Sequence, residues 1–228
     1  MIPSSRDQLL QHLADLITRI ERPHPIRVAI DGVDGAGKTM LADELVRHFE
    51  HRGRHVIRAS IDGFHRPRAE RYRRGSDSPE GFYHGSFDHA ALRADLLEPC
   101  GPGGLRRYRH AVFDWRADAP VDAPPDEAPA DAVLLFDGIF CQRPELIDHW
   151  DLRIFLDVPF EETWRRMAVR DLTPTSSLEE MERRFRTRYA PGQQLYLATA
   201  QPRERAHIVI DNTDPCHPLM IRDHDPEP

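Results

Sequence analysis

The segment RVAIDGVDGAGKTMLADEL, residues 27–45, restricts the fold of this chain more than any other stretch. Residues 26–30 (IRVAI) form a short β-branched run, as expected of a buried strand. Gly32, Gly35 and Gly37 break the run, and Leu41, Leu45, Val46 and Phe49 then recur at helical spacing. Strand, glycine loop and helix are the context that the pattern G-x-x-x-x-G-K-[ST] requires, and residues 32–39 fit it at every position. In such a loop (Gly32, Asp34, Gly35, Ala36, Gly37, with Lys38, Thr39 and Met40 opening the helix) successive backbone N–H groups turn inward. They converge on phosphate oxygens beside a positively polarised helix N-terminus. Lys38 is the only lysine among 31 basic residues. Its compact ammonium on a long stem suits the β- and γ-phosphates, where a planar guanidinium fits poorly. Thr39 offers a hydroxyl to Mg²⁺. The plain alternative is a glycine turn in front of an ordinary helix.

The remaining sequence supports one α/β domain. Its 228 residues are ample for a single core. Residues 1–25 read as an amphipathic helix packed on that domain: Leu9, Leu10, Leu13, Leu16, Ile17 and Ile20 trace one face, with Ser5 and Gln8 as a capping box and Pro23 and Pro25 closing it. Residues 26–228 form the nucleotide-binding domain. Strands are expected at 55–61, 132–137, 152–157 and 206–210, and helices at 88–98, 143–149, 160–171 and from 178 onward. A short extended pair is expected around 106–115, and the proline-rich run 118–131 reads as a surface loop. Alternating strands and helices imply a parallel sheet covered on both faces, with ligands at the carboxyl ends of its strands.

Composition narrows the partners. A net charge of −7 argues against a general nucleic-acid binder, and no run approaches membrane-spanning length. Cys100, Cys141 and Cys216 show no C-x-x-C spacing and point to a reduced, cytoplasmic setting. The histidines lack metal-ligand spacing. The N-terminus has no apolar core of a signal peptide.

Three strands end in aspartate: Asp31, Asp62 and Asp137. Asp137, after the apolar run AVLLF, is the better candidate to hold Mg²⁺ with Thr39. That leaves Asp62 to orient or deprotonate an acceptor hydroxyl. Either aspartate read alone is also an ordinary cap on the next turn. Arg166 and Arg170, four apart on one helix, suit charge stabilisation on a transferred phosphoryl group, although Glu162 and Arg166 also form a routine i,i+4 pair. Glu179–Arg183, Glu180–Arg184 and Glu182–Arg186 suggest a solvated, salt-bridged face.

Taken together, GVDGAGKT, DGFH, DSPEGF, VFDW, LLFDGIF, RRMAVRD and DNTDP, in this order over residues 26–214, resemble the uridine kinase and phosphoribulokinase family of P-loop kinases. The resemblance implies a three-layer nucleoside-kinase-like fold and ATP-dependent, Mg²⁺-assisted phosphorylation of a small molecule, usually the 5′-hydroxyl of a nucleoside. It implies Asp62 as general base, Asp77 as a sugar-hydroxyl contact, and Phe113 and Trp115 as walls of the acceptor pocket. Arg166 and Arg170 become lid and phosphate contacts, and Asn212 lies near the adenine. The family's base-reading tyrosine and histidine correspond here to Phe113 and Asp118, and its lid to residues 171–181. A homo-oligomer is compatible with all of this. A kinase for pantothenate or a sugar is the neighbouring reading, and an NTP-dependent regulatory protein the more distant one; against the latter, the chain has no N-K-x-D guanine motif.

Overall fold

The strand expected to open the phosphate loop buries all seven of its residues, because both faces of the sheet it joins are covered. The computed structural model describes residues 5–172 and 177–226. Its central sheet consists of β1 (Ile26–Gly32), β2 (Val56–Ser60), β3 (Val133–Gly138), β4 (Leu152–Asp157), β5 (Ile208–Asp211) and β6 (Leu219–Asp223). The spatial order is β6-β5-β4-β1-β3-β2. All pairs are parallel except β5–β6, which is antiparallel. Side chains alternate between two cores, as strand geometry demands. Val28, Ile30, Leu135 and Ile154 pack beneath α1 (Arg6–Arg19) and α2 (Lys38–Glu50). Ala29, Leu134 and Phe136 face the opposite side, among Phe64, Phe140 and Tyr196. Each such large apolar side chain contributes roughly 1.5–3 kcal/mol on full burial.

The N-terminal helix forms as its periodicity predicts. Ser5 caps it by accepting from the Gln8 amide at 3.3 Å, and Leu9, Leu10, Leu13, Leu16 and Ile17 are buried. Arg6 ties it to α2 through Glu44 at 2.8 Å.

Other elements are shorter or more broken than expected. β2 stops at Ser60 because the Ser60 hydroxyl accepts from the Asp62 amide and starts a 3₁₀ turn, Ile61–Phe64. The expected helix at 88–98 is a turn at His89–Leu92 continued as a π-helical stretch, Arg93–Leu97. Only Ile147–His149 of the segment 143–149 is helical, as a 3₁₀ turn. The long C-terminal helix is three pieces: α5 (Leu178–Arg184), a π-turn at Phe185–Tyr189 and α6 (Ala190–Ala200). Pro191 lacks the N–H that would continue the i→i−4 ladder, and the wider turn lies just before it. The proline-rich run 118–131 supplies two minimal strands, Ala119–Pro120 against Phe113–Asp114 and Asp126–Glu127 against Arg107–Tyr108. β6 was not expected. As an exposed edge strand with Leu219 and Ile221 half out in solvent, it carries little of the alternation that marks a buried one.

β3 lies between β1 and β2, with Asp137 in register with Ile30 on one side and Ser60 on the other. The carboxyl ends of three strands therefore open onto one edge of the sheet. The segments packed above that edge are α3 (Pro79–Gly85), α4 (Phe160–Asp171) and the π-turn.

Candidate active site

A cleft of about 1180 Å³ opens at this edge. It exceeds the usual size of a pocket for one small ligand and has room for a nucleotide and an acceptor side by side. One end is the phosphate loop. Gly35 and Gly37 have φ of +78° and +95°, which side chains rarely adopt. A Cβ on Gly37 would also come within 2.7 Å of the Asn212 amide nitrogen, and one on Gly35 within 2.8 Å of the Thr163 carbonyl oxygen. Gly37 precedes α2 directly, so the free N–H groups of that helix face the loop.

Lys38 is 8 % exposed, lines the cleft, and donates from Nζ to the Val33 carbonyl at 2.8 Å. Thr39 Oγ1 donates to Asp137 Oδ2 at 2.6 Å. A hydroxyl and a buried carboxylate at this separation form a hard oxygen donor pair of the kind Mg²⁺ prefers, and together with the loop they fit MgATP. Arg58 of β2 adds a contact that its position mid-strand did not advertise: its Nη1 lies 2.7 Å from Asp137 Oδ1.

Asp62 has the opposite environment. Its side chain is 60 % exposed, it lines the same cleft, and His65 Nδ1 is 3.9 Å from its Oδ1. The His65 ring packs against Phe87 at 4.5 Å and Trp115 at 5.8 Å, and burial lowers its pKa. Of the two candidate aspartates, one is tied down at the loop and the other is open to a ligand.

Beneath the loop lies a third aspartate. Asp31 is fully buried and accepts from the Gly32 amide at 2.8 Å, from Gln142 Nε2 at 3.2 Å and from the Tyr196 hydroxyl. Burial raises its pKa to about 6 in spite of these bonds. Asp34 is also pushed up by burial, and its amide donates to Gln193 Oε1 at 2.6 Å. Through Tyr196 and Gln193, α6 props the loop from below.

Arg166 makes the i,i+4 pair its spacing allowed and lines the cleft as well. It pairs with Glu162 at 2.8 Å and donates to the carbonyls of Gly35, Asn212 and Thr213. Asn212 Nδ2 donates to the Ala36 carbonyl at 2.7 Å, while its Oδ1 accepts from Arg6. Both residues line the cleft and brace the loop at once. Arg170, largely exposed, pairs with Asp171 at 2.6 Å at the cleft rim. Residues 173–176, in the segment corresponding to the family's lid, lie outside the described residues.

The cleft thus gathers Asp34, Gly35, Gly37, Lys38, Thr39, Met40, Asp62, Trp115, Asp137, Arg166, Arg170 and Asn212, while Gly32 and Ala36 lie behind its surface. Two expected acceptor contacts are not brought there. Asp77 sits outside the lining and pairs with Arg183 at 2.7 Å, and Phe113 is buried behind it in a minimal strand. The expected Glu179–Arg183 pair is replaced by Glu180–Arg183, whereas Glu180–Arg184 and Glu182–Arg186 form as spaced. Sequence reasoning missed Arg6, His65, Arg71, Arg184 and Arg188 as lining residues, whereas Asp118, aligned with a base-reading position, does line the cleft. None belongs to a motif with the lysine's uniqueness. The spacing of Arg184 from Glu180 predicts a solvated face, and the pair forms, but the arginine also lines the cleft.

No family model matches the chain. It is 25 % identical over 173 residues to a curated uridine kinase of Ureaplasma urealyticum, covering 73 % of this chain and 79 % of the relative. Its fold matches that of a possible uridine kinase from Bacillus stearothermophilus, with a TM-score of 0.70 and 23 % identity, over 88 % of this chain and 96 % of the other. A candidate fructose transport system kinase from Silicibacter sp. TM1040 has the same TM-score at 21 % identity, over 86 % and 95 % of the two chains. Among the described residues, no helix is long and apolar enough to cross a membrane. Sequence and fold agree: this chain is similar to curated uridine kinases and has the mostly parallel, helix-flanked α/β fold of P-loop kinases.

Proposed function

We propose that this chain transfers the γ-phosphoryl group of MgATP to a hydroxyl of a small molecule, with a nucleoside as the acceptor suggested by its uridine kinase relatives. The observation that carries the reading is the delivery of Asp62 and the Thr39–Asp137 pair, from adjacent strand ends, to the cleft that holds the phosphate loop. Lys38 and the loop amides bind the triphosphate and hold its terminal group in place. Thr39 and Asp137 would hold Mg²⁺, which would supply charge neutralisation on the phosphate oxygens. Asp62 orients the acceptor hydroxyl and takes its proton as the oxygen bonds to the γ-phosphorus. The bond from that phosphorus to the β–γ bridging oxygen breaks, and ADP leaves with the electron pair. Arg166 and Arg170 contribute positive charge beside the transferred group. Three free cysteines, two of them buried, support a cytoplasmic setting.

A second reading, phosphorylation of another hydroxylated metabolite, has one observation in its favour. The side of the cleft away from the loop is rich in arginines and lacks the Asp77 and Phe113 contacts expected around a nucleoside. The test of the kinase reading is ADP release from MgATP with and without uridine, cytidine, pantothenate or sugars. Release that depends on an acceptor supports it. Equal hydrolysis without any acceptor belongs to an NTP-driven regulatory protein and refutes it.

A further inference from the structure

The chain carries a net charge of −7, yet nine arginine or lysine side chains line the cleft against five carboxylates. Lys38, Arg166 and Arg170 accompany the loop, where a triphosphate needs them. Arg71, Arg184 and Arg188 do not. They come from the helical turn Arg68–Arg71, from α5 and from the π-turn, and they gather around Tyr72.

Arg188 is 3 % exposed. Its Nη1 donates to the carbonyls of Gly75, Ser76 and Ser78 and its Nη2 to that of Arg71, at 3.2–3.3 Å. Its Nε is buried without a hydrogen-bond partner. The guanidinium stacks 4.8 Å over Tyr72. Burial lowers its pKa, and repulsion from Arg184 and Arg71 adds to the effect. Arg71 repeats the pattern. Its Nε is buried and unpartnered, and the carboxylate it approaches, Asp118, stands 3.6 Å from Nη2, too far for a hydrogen bond. Arg184 is half-buried, and its carboxylate, Glu180, is shared with Arg183.

Buried cations are ordinarily paired, because an unpaired charge out of water is costly. Stacking on Tyr72 offsets part of that cost and no more. Carbonyl bonds account for Arg188 as a positioning residue, but Arg71 and Arg184 have only Asp118, beyond hydrogen-bond distance, and a Glu180 that Arg183 also engages. The cluster is continuous with the acceptor end: burial and then the charge of Arg71 lower the pKa of His65, whose Nδ1 is 3.1 Å from the Asp62 carbonyl.

We propose that the acceptor carries an anionic group, a carboxylate or a phosphate monoester, in addition to the hydroxyl presented to Asp62, and that Arg71 and Arg184 hold this group with Arg188 positioned behind them. The proposal rests on the kinase reading above and narrows its substrate class. Guanidinium forks suit both anions, and a neutral nucleoside leaves them unmatched.

The experiment is acceptor-dependent ADP release with the full chain on three arms: uridine and cytidine, D-glycerate and pantothenate, and ribose 5-phosphate. An anionic acceptor is expected to exceed both nucleosides in kcat/KM by at least about tenfold, the charged arm that responds identifying the anion. Arg71→Gln and Arg184→Gln are expected to raise KM for that acceptor by about 10–10²-fold, with KM for ATP and the thermal midpoint unchanged. Arg71→Lys should recover part of the loss, and the glutamine variants should erase the preference for charged over neutral acceptors. Turnover of a nucleoside with every anionic acceptor inert overturns the anion site while the kinase reading stands. So does an equal rise in KM for charged and neutral acceptors in the glutamine variants. Acceptor-independent hydrolysis alone overturns the kinase reading and this proposal with it.

Discussion

The two ends of the cleft are built in different ways. The nucleotide end is built around one contiguous segment, residues 32–39, whose glycines, lysine and threonine are adjacent in the backbone, with Asp137 and Asn212 joining it from strand ends. Its side chains are already engaged: Lys38 on Val33, Thr39 on Asp137, Asn212 on Ala36. The acceptor end is assembled from Asp62 and His65, the 68–72 turn, Trp115 to Asp118, and Arg184 to Tyr189. There the Asp62 carboxylate is exposed, and behind it the Nε atoms of Arg71 and Arg188 are buried without hydrogen-bond partners. A preorganised end binds the ligand common to its class. An end with spare donors and acceptors is where a particular substrate completes the structure.

Substitutions test that contrast, and the largest effect is expected at Asp62. Asp62→Asn keeps size and hydrogen bonding but removes the proton acceptor, so kcat should fall by roughly 10²–10⁴ with ATP affinity little changed. If raising Mg²⁺ restores this variant, Asp62 is a metal ligand and the division of labour is reversed. Lys38→Ala should lower kcat by about 10²–10³, since a charge that meets the transferred group is lost. It removes one hydrogen bond from the fold, about 1 kcal/mol, so calorimetry should find it still folded. Lys38→Arg should rescue poorly; near-normal turnover of either variant contradicts the role given to the ammonium.

Asp137→Asn should behave as a binding defect: about 10–10² in activity at low Mg²⁺, recovered as Mg²⁺ is raised. Failure to recover in a Mg²⁺ titration argues against the Thr39–Asp137 pair as the metal end. Trp115→Ala should raise acceptor KM by about tenfold through lost ring contact, leaving KM for ATP alone. An effect on ATP instead puts Trp115 at the wrong end.

The smallest effect concerns stability. Asp31 titrates at about 6 in the folded chain, above its ordinary value of 3.8. Between those values the folded state holds its proton more tightly, so this contribution is fully present below about pH 4 and is lost as pH rises through about 6. Asp31→Asn cannot lose it. The stability difference, wild type minus variant, should therefore fall by about 1–3 kcal/mol between pH 4 and pH 7 in urea unfolding. Parallel pH curves would mean that Asp31 is not strained by burial.

The same contrast explains what was legible. β1, β3 and β4 were readable because each is covered along its length, and burial imposes a local pattern on neighbouring residues. β6 and the π-helical breaks were not. An edge strand half in solvent carries no such pattern, and a widened turn beside Pro191 is a matter of one missing donor. At the site, Asp62 and Asp137 were found from strand ends, but nothing in their spelling says which would be exposed. The 3₁₀ turn after Ser60 swings one outward, and Thr39 and Arg58 close over the other.

Asp77 and Phe113 show the opposite limit. Motifs placed them near an acceptor, and the packing of α5 and of the minimal strands drew them away, to Arg183 and into the core. Sequence alone determined the phosphate loop, the lone lysine's place in it and the parallel sheet that presents it, because contiguous backbone and strand periodicity are local properties. Tertiary structure alone decided the arginines of the acceptor end. Arg71, Arg184 and Arg188 lie more than a hundred residues apart in part, carry ordinary arginine surroundings in the sequence, and become a cationic cluster only when the C-terminal helices fold back over the 68–85 segment. Their charge acquires meaning from burial, and burial is a property of the packed whole.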